Sequence, residues 1–319
     1  MNIIEQAAKR LEQLERAGVA VPWSAARSAP GGVVTALPTD ATAGAPISAP
    51  SYAGDDVAKA STPPRPVEHP AARIRLAPKT RVTLDLDQLR AAGHLVPDQI
   101  RSEMAEQFRH LKRPLLKTAR ALGETAGHRG GQIMITSALP GEGKTFCSIN
   151  LAMSMAMEVD TAVILVDADV VRPSVFARLG LEIRPPGMLD FLQDGAADLQ
   201  SVLVETDVPK LLLMSSGQPN GRSTELLASA SMDRLLTQLT EEYADHVVIF
   251  DAPPLLLTTE STVLASKVGQ VLVVVETGKT TRNTVQQAFA ALRNCPVVFS
   301  VLNKCDESDG GRRYGYYYG

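Results

Sequence analysis

The sequence has few cysteines, and their spacing indicates neither a disulfide-linked scaffold nor a zinc-binding one. Its three cysteines, Cys147, Cys295 and Cys305, are scattered and form neither a C-x-x-C pair nor a zinc-ligand pattern. A disulfide framework and a metal knuckle are therefore not indicated. We expect a chain that works in a reducing compartment, where free thiols are the usual state of cysteine.

Long apolar runs and an excess of positive charge are also missing. No apolar stretch approaches the roughly 20 residues that span a bilayer. The first 18 residues carry charges of both signs, unlike a signal peptide. The formal net charge of −3 over 319 residues gives no support to a surface that is basic throughout, as in many nucleic-acid proteins. We therefore expect a cytoplasmic protein that binds no nucleic acid and reaches the inner face of a membrane only through a partner.

Composition and periodicity divide the chain into five segments. Residues 1–18 place apolar side chains on one helical face and predict an amphipathic helix, which either folds back on the core or docks onto another protein. Residues 19–80 are rich in Ala, Pro, Ser, Thr and Gly and predict a disordered linker. The other three are a helical adaptor and oligomerisation segment at 81–130, a large domain at 131–308 and a tyrosine-rich tail at 309–319.

The adaptor segment is predicted to contain one short strand and a charged helix. Residues 82–86 alternate as in an edge strand, and Asp98 has the position of a helix N-cap. Pro114 should kink or end the helix that follows, because proline has no N–H to donate, and residues 115–122 should continue as a second helical piece. On that helix, Glu106 and Arg109 share a charged stripe opposite an apolar one.

The large domain shows strand patterns that alternate with helical ones. Runs rich in Val, Ile and Leu are typical of strands that are buried on both faces of a parallel sheet. We predict an α/β fold with a doubly wound, mainly parallel sheet, in which ligands bind at the carboxyl ends of the strands. The predicted strands are residues 132–136, 162–166, 211–214, 247–250, 271–275 and 297–302, with notable helices at 224–243 and 281–294.

A glycine loop follows the first of these strands. Residues 137–145 read S-A-L-P-G-E-G-K-T and fit the pattern G-x-x-x-x-G-K-[ST], with Ala138 in place of the first glycine. In such P-loops the backbone N–H groups surround phosphate oxygens, Lys144 reaches the β- and γ-phosphates, and Thr145 binds Mg²⁺. The predicted nucleotide-binding residues are Pro140, Gly141, Glu142, Gly143, Lys144, Thr145 and Phe146.

Carboxylates end two other strands of the predicted sheet. Asp167 and Asp169 follow one strand, and Asp251 follows another. A single aspartate after a strand is often only a helix cap, but three at the edge that holds the glycine loop indicate a metal site. Because Mg²⁺ prefers oxygen ligands, we predict that Thr145, Asp167 and Asp251 bind it.

These motifs resemble those of the bacterial tyrosine kinases (BY-kinases) that control polysaccharide chain length. The stretches A-L-P-G-E-G-K-T, V-I-L-V-D-A-D-V-V-R-P and V-V-I-F-D-A-P-P are similar to the family's Walker A, Walker A′ and Walker B motifs. The resemblance implies a P-loop protein-tyrosine kinase that uses ATP and Mg²⁺, with Lys144, Asp167, Asp169 and Asp251 as catalytic residues. In this comparison Asp167 and Asp169 would assist the metal and the attacking tyrosine.

The resemblance extends to the adaptor segment. The family has an E-x-x-R-x-x-R helix that joins subunits into a ring, and Glu106, Arg109 and Lys112 occupy its positions here. Lysine cannot reproduce the bidentate fork of the last arginine. The stretches V-T-L-D-L-D-Q-L-R-A-A-G and K-R-P-L-L further resemble soluble autokinases of exosortase-linked exopolysaccharide clusters. The resemblance implies a ring-like homo-oligomer that regulates exopolysaccharide polymerisation and export, with a membrane chain-length determinant protein as partner.

Aromatic residues are scarce except at the end of the chain. They make up 4% of the sequence, yet Tyr314, Tyr316, Tyr317 and Tyr318 all lie in the last six residues. Kinases of the resembled family phosphorylate such a terminal cluster, so the resemblance implies that these four tyrosines accept phosphate. Because an extended chain spans about 3.3 Å per residue, the tail should reach a neighbour's site as readily as its own, and we expect phosphorylation in trans.

Two other functions also fit a glycine loop of this kind. Switch ATPases that place septa or partition plasmids carry a signature lysine in K-G-G-x-G-K-T, where this chain has Leu139 and Pro140 at the first two of those positions. A nucleotide-binding adaptor without catalytic activity, in a secretion machine, is the third possibility. Labelled ATP and a phosphotyrosine blot of the pure protein would separate the three.

Overall fold

An eight-stranded sheet forms the centre of the protein in the computed structural model, which describes residues 77–99, 101–125, 129–194 and 198–305. The strands are Thr80–Val82 (β1), Gln132–Ser137 (β2), Ala162–Asp167 (β3), Leu203–Thr206 (β4), Leu211–Met214 (β5), His246–Asp251 (β6), Gln270–Glu276 (β7) and Val297–Asn303 (β8). Their order across the sheet is β1-β4-β5-β3-β6-β2-β7-β8. Every neighbouring pair is parallel except β4 and β5, which confirms the predicted mainly parallel sheet.

Helices cover both faces of this sheet, as in a doubly wound fold. They are Leu86–Ala91 (α1), Glu103–Thr125 (α2), Lys144–Ala156 (α3), Val175–Arg178 (α4), Met188–Gln193 (α5), Leu199–Val202 (α6), Ser223–Ala228 (α7), Ala230–Glu242 (α8), Thr259–Ala265 (α9) and Arg282–Ala291 (α10). Within β3, Val163 and Leu165 pack in the hydrophobic cluster that includes α1 to α4. Ile164 and Val166 pack in the second cluster, with α5 to α10. Successive strand residues point to opposite faces, so the two clusters are the two cores of the domain.

The first strand and helix differ from the sequence prediction. The edge strand ends at Val82, and the residues predicted to continue it instead begin a helix. Asp85 is the N-cap of α1, and its carboxylate accepts a hydrogen bond from the Gln88 N–H at 2.9 Å. A polar N-cap before an apolar residue outweighs the short alternation because it satisfies a helix donor that would otherwise be unpaired.

The long helix α2 begins later and extends further than predicted. Asp98 is not its N-cap, because the helix begins at Glu103, and Ser102 Oγ accepts a hydrogen bond from the backbone N–H of Ala105 at 3.1 Å. Pro114 lies inside the helix and does not end it. Leu115, which follows the proline, is fully buried in the core. Tertiary packing of this kind, more than local propensity, holds most protein helices together.

Two further differences concern the second half of the domain. The predicted helix at 224–243 is two helices, α7 and α8, and the predicted helix at 281–294 is the shorter α10. The sequence did not predict β4, which has only four residues and pairs antiparallel with β5.

The predicted segment boundaries fall partly outside the described residues. The N-terminal helix at 1–18, the linker as far as residue 76 and the tail at 309–319 lie outside them. The last residue assigned to the linker, Thr80, belongs to β1, and the boundary at residue 131 falls in the turn Arg129–Gly131 that precedes β2. Among the described helices, none is both long and apolar enough to cross a membrane.

Candidate nucleotide site

The glycine loop connects β2 to α3 at the carboxyl edge of the sheet. Gly141 and Gly143 have positive φ angles of 86° and 102°, which glycine adopts without a steric cost. Gly143 is further restricted, because a Cβ there would lie 2.0 Å from the side-chain nitrogen of Asn303. Ala138, at the position of the missing first glycine, is buried and has no positive φ. An alanine therefore fits there without strain.

The ends of β7 and β8 hold the loop from the side, which the sequence did not predict. Asn303 Nδ2 donates to the carbonyl oxygen of Glu142 at 2.9 Å, and Lys304 Nζ donates to that of Gly141 at 2.7 Å. The buried Glu142 carboxylate accepts from the Leu139 N–H at 2.6 Å and from the Thr280 hydroxyl. Glu142 therefore shapes the loop from within, and its carboxylate is directed away from the phosphate site.

Asp251, at the end of β6, is the buried centre of the site. Its Oδ2 accepts from Thr145 Oγ1 at 2.8 Å, and its Oδ1 accepts from Ser148 Oγ at 2.9 Å. Burial raises the pKa of Asp251, whereas Lys144 and the two hydroxyl donors lower it. Ser148, one turn into α3, is a residue that the motif did not single out. The hydroxyls of two successive turns thus fix one carboxylate against the first turn of α3.

Lys144 is held at the mouth of the site by a second carboxylate. Its Nζ lies 2.7 Å from Asp169 Oδ2 and 4.0 Å from Asp251 Oδ2. The other oxygen of Asp169 accepts from the Arg172 N–H at 2.9 Å, so a turn of the backbone orients this carboxylate. The ammonium of Lys144 is thus positioned between the segments that follow β3 and β6.

Asp167, at the end of β3, has an acceptor atom without a donor. Its Oδ2 accepts from the backbone N–H groups of Ser174 and Val175, each at 2.9 Å. Its Oδ1 is buried and has no hydrogen-bond partner among the described residues. Burial and the neighbouring Asp251 carboxylate raise the pKa of Asp167 to about 7, with a smaller effect from Asp169, and the two N–H donors oppose the rise. The carboxylates in this part of the site therefore carry more negative charge than the hydrogen-bond donors around Asp167 offset.

These side chains fit a divalent cation that arrives with a nucleotide. Asp167 offers a buried oxygen without a donor, Asp251 lies opposite it in the sheet, and Thr145 Oγ1 bonds to Asp251. Within the described residues, no group of three or more His, Cys, Asp or Glu side chains could hold a metal by itself. Mg²⁺ commonly binds through one or two carboxylates together with substrate phosphates and waters. The two carboxylates and the hydroxyl present here fit this kind of coordination.

A cavity of about 470 Å³ opens in front of these groups. This volume lies within the range of roughly 300–1,000 Å³ that is usual for small-molecule sites. Asp169 lines the cavity, whereas Asp167 and Asp251 are buried and are not among its lining residues. Of the seven residues predicted to bind nucleotide, the cavity is lined by Pro140, Gly141, Gly143, Lys144, Thr145 and Phe146.

The remaining predicted residues lie elsewhere. Glu106 and Arg109 form an ion pair on α2. Lys112 is buried: its Nζ donates to the carbonyl oxygen of Ser154 at 2.6 Å and lies 2.7 Å from a carboxylate oxygen of Glu158. The cation of Lys112 therefore stabilises the carboxyl end of α3. The four tail tyrosines lie outside the described residues.

Comparison with known sequences finds a matching family model and several proteins described as tyrosine-protein kinases. A family model described as an AAA domain matches residues 131–296. Tyrosine-protein kinase CpsD of Streptococcus pneumoniae serotype 4 is 30% identical over 187 residues, which cover 58% of this chain and 81% of the relative. Tyrosine-protein kinase YwqD of Bacillus subtilis is 32% identical and is covered to 76%. Tyrosine-protein kinase ptk of Acinetobacter johnsonii is 32% identical over 185 residues, but the match spans only 25% of that longer protein.

Comparison with solved structures identifies the same kind of domain. The BceF tyrosine kinase domain superposes with a TM-score of 0.52 at 25% identity and covers 70% of this chain and 90% of its own. The VpsO kinase domain superposes with a TM-score of 0.51 at 27% identity and covers 64% of this chain and all of its own length. The described α/β domain is thus similar to kinase domains over nearly their full length.

Proposed function

Since the chain belongs to the bacterial tyrosine-protein kinases, within the AAA domain family, we propose that it transfers the γ-phosphoryl group of ATP to tyrosines in its own C-terminal tail. The observation that carries this proposal is that Lys144, Thr145 and Asp169 line one cavity, while Asp251 bonds to Thr145 and Asp167 lies opposite Asp251 in the sheet. Phosphoryl transfer requires mainly positioning and charge neutralisation, and these groups supply both.

Each side chain has a separate task in this proposal. Thr145, Asp251 and Asp167 would hold Mg²⁺, which when bound neutralises charge on the β- and γ-phosphate oxygens. Lys144 leaves Asp169 to bind the γ-phosphate, because a phosphate offers it more negative charge than one carboxylate does. Asp169, which lines the cavity, then orients the attacking tyrosine hydroxyl. Asp167 lies deeper, and we assign it to the metal.

The tail is proposed to be phosphorylated in trans, and a mixing experiment tests this. One partner is active and has Tyr314, Tyr316, Tyr317 and Tyr318 replaced by Phe; the other carries Lys144→Met and the native tail. After incubation with labelled ATP, phosphate should appear only on the inactive partner. Separating the two by a mass tag and mapping the modified tyrosines gives the readout.

Three other outcomes of the mixing experiment would contradict the proposal. Label on neither chain, together with steady ATP hydrolysis, would favour the switch ATPase. Label on the quadruple-Phe chain would place the main acceptor outside the tail. Label on neither chain of the mixture, but label on an active chain with the native tail that is incubated alone, would mean that transfer occurs in cis. The quadruple-Phe chain mixed with itself is the control for background.

We also propose that Glu106 and Arg109 lie at a contact between subunits of a ring-like homo-oligomer. As a solvated surface pair they would contribute only about 0.2–1 kcal/mol to folding, so changing both to Ala should barely move the melting temperature. At a subunit contact, the same change should shift the particle mass toward that of a monomer in light scattering and reduce phosphorylation in trans. Asp87→Ala breaks another exposed i, i+3 ion pair, with Arg90 on α1, and serves as the control. A double variant of Glu106 and Arg109 with unchanged mass would remove this face from the contact.

The cellular role is proposed on the resemblance of the adaptor segment. The protein would regulate exopolysaccharide polymerisation and export, recruited to the inner membrane face by a membrane chain-length determinant protein. Cells that carry only the Lys144→Met variant should then export polymer of altered length or amount. Unchanged polymer in those cells would count against this role but leave the kinase proposal standing.

A further inference from the structure

Two exposed apolar side chains line the wall of the nucleotide cavity. Val171 is 54% exposed and Leu257 is 61% exposed. Both line the same cavity as Lys144 and Asp169, together with Pro254. We refer to Val171, Pro254 and Leu257 as the apolar rim. Its members have no polar side-chain group for phosphate or metal, so phosphate binding does not explain why they are there.

The apolar rim belongs to the two segments that follow the carboxylates of the site. Val171 comes two residues after Asp169, and Pro254 and Leu257 come shortly after Asp251. The second segment is fastened to the glycine loop, because the Leu255 N–H donates to the carbonyl oxygen of Ser137 at 2.8 Å. The rim therefore adjoins the groups that hold the transferred phosphoryl, where an acceptor has to lie.

The tail offers one kind of side chain for such a surface. Its last six residues, from 314 to 319, read Y-G-Y-Y-Y-G, so the tyrosine rings are the only side chains there by which a site could recognise it. A tyrosine has an apolar ring and a hydroxyl at the far end. A ring that packs on the apolar rim would therefore present its hydroxyl to the polar groups beside it.

The position of the last strand allows the tail to reach this surface in another subunit. Strand β8 ends at Asn303, at the same edge of the sheet as the glycine loop, since Asn303 donates to the loop carbonyl of Glu142. From there to Tyr316 an extended chain covers roughly 40 Å. A second copy of the protein that brings its own nucleotide edge within that distance could therefore receive the tail.

We propose that the apolar rim is the acceptor site, which binds the ring of a tail tyrosine from a second copy of this chain and directs its hydroxyl at the γ-phosphoryl group. This inference rests on the proposed kinase function. The phenolic oxygen forms a bond to the γ-phosphorus while the bond from that phosphorus to the bridging oxygen of ADP breaks. ADP leaves, and the phenolic proton passes to the Asp169 carboxylate. The product carries about −1.5 to −2 charge next to that carboxylate, which promotes its release and lets the next ring bind.

The test separates binding of the acceptor from binding of ATP. The enzyme carries Tyr→Ala at its four tail positions, so that its own rings do not compete, and the acceptor is the Lys144→Met chain with the native tail. Val171→Ser with Leu257→Ser should raise the KM for the acceptor about tenfold, as expected when roughly 50 Å² of apolar contact is lost. The KM for ATP should change less than twofold. Val159→Ser is the control, because Val159 is 87% exposed and does not line the cavity.

A second measurement tests recognition of the ring itself. The peptide R-R-F-G-F-F-F-G retains the rings but cannot accept phosphate, and R-R-A-G-A-A-A-G has neither property. The first should inhibit transfer to the acceptor competitively and the second should not. In the Val171→Ser, Leu257→Ser enzyme, the inhibition by the Phe peptide should weaken by a similar factor of about ten.

Each opposite result has its own meaning. An unchanged acceptor KM, or equal inhibition by the two peptides, overturns the assignment of the rim. A rise in the KM for ATP of the same size would show that the rim binds the nucleotide base instead. If the enzyme with the native rim puts no phosphate on the acceptor while it hydrolyses ATP, the kinase proposal itself fails, and the rim assignment fails with it.

Discussion

Replacing Lys144 by Met should reduce autophosphorylation on the order of 100- to 1000-fold, the loss typical when one preorganised donor to a developing charge is removed. Lys144 is the ammonium that lies between Asp169 and Asp251, at 2.7 and 4.0 Å. The change keeps an unbranched side chain of similar length and removes only the cation. The initial rate of label incorporation at saturating Mg²⁺ and ATP is the measurement, because a fall there reports a weaker transition state and not a lower affinity for ATP.

The fold should survive this substitution. The loop is held by Asn303 and Lys304 through its own backbone carbonyls, and neither bond involves the Lys144 side chain. Circular dichroism should therefore match that of the unchanged protein, with a modest fall in melting temperature from the carboxylates left without their cation. Lys279→Met removes an exposed lysine from the turn after β7 and should leave the rate unchanged. A Lys144→Met protein with a normal rate would refute the assignment of this loop to catalysis.

The meeting of the carboxylates could be predicted from the sequence for a simple reason. Asp167 and Asp251 each end an apolar run, and parallel strands bring such ends to one edge of a sheet. In the structure β3 and β6 are neighbours, and Asp167 lies directly opposite Asp251 in their register. A motif that is tied to the end of a strand is thus located by local sequence alone, once the sheet is known to be parallel.

Other parts of the site depend on contacts that local sequence does not contain. Asn303 and Lys304 support the glycine loop only because β8 lies two strands from β2 in the sheet, and strand order cannot be read from periodicity. Lys112 occupies the last position of the E-x-x-R-x-x-R pattern, yet its long side chain reaches the carbonyl of Ser154 on another helix. Flexible lysine stems often allow such burial, and a helical pattern does not reveal the direction that they take.

Replacing Asp167 by Asn should make the nucleotide-free protein more stable at pH 8 and less active. The pKa of Asp167 in the folded protein is about 7, above its ordinary value of 3.8, because burial and the Asp251 carboxylate disfavour the ionised form. A carboxyl group whose pKa rises on folding binds its proton more tightly in the folded state. Its ionisation therefore lowers the free energy of unfolding as the pH rises from about 4 to 7.

The size of the effect follows from the same pKa difference. The shift from 3.8 to about 7 corresponds to at most about 4 kcal/mol at pH 8, at 1.36 kcal/mol for each pKa unit. Asparagine has nearly the same shape and keeps an oxygen that can accept from the Ser174 and Val175 N–H groups. The variant should therefore melt several degrees higher than the unchanged protein at pH 8, and the difference should shrink toward pH 5, where Asp167 is protonated.

Thermal melts at pH 5 and pH 8, with and without Mg²⁺ and ATP, would check this expectation. Bound cation should stabilise the unchanged protein more than the Asp167→Asn variant, because the cation satisfies the charge that the variant lacks. Asp160→Asn alters an exposed carboxyl in the turn after α3 and should move neither melt by much. A stability gain of equal size at both pH values would mean that charge at Asp167 is not its cause. No gain at pH 8 would mean that other groups in the folded protein already neutralise the charge of Asp167. The uncompensated charge could then no longer be used to argue that Asp167 binds a metal ion.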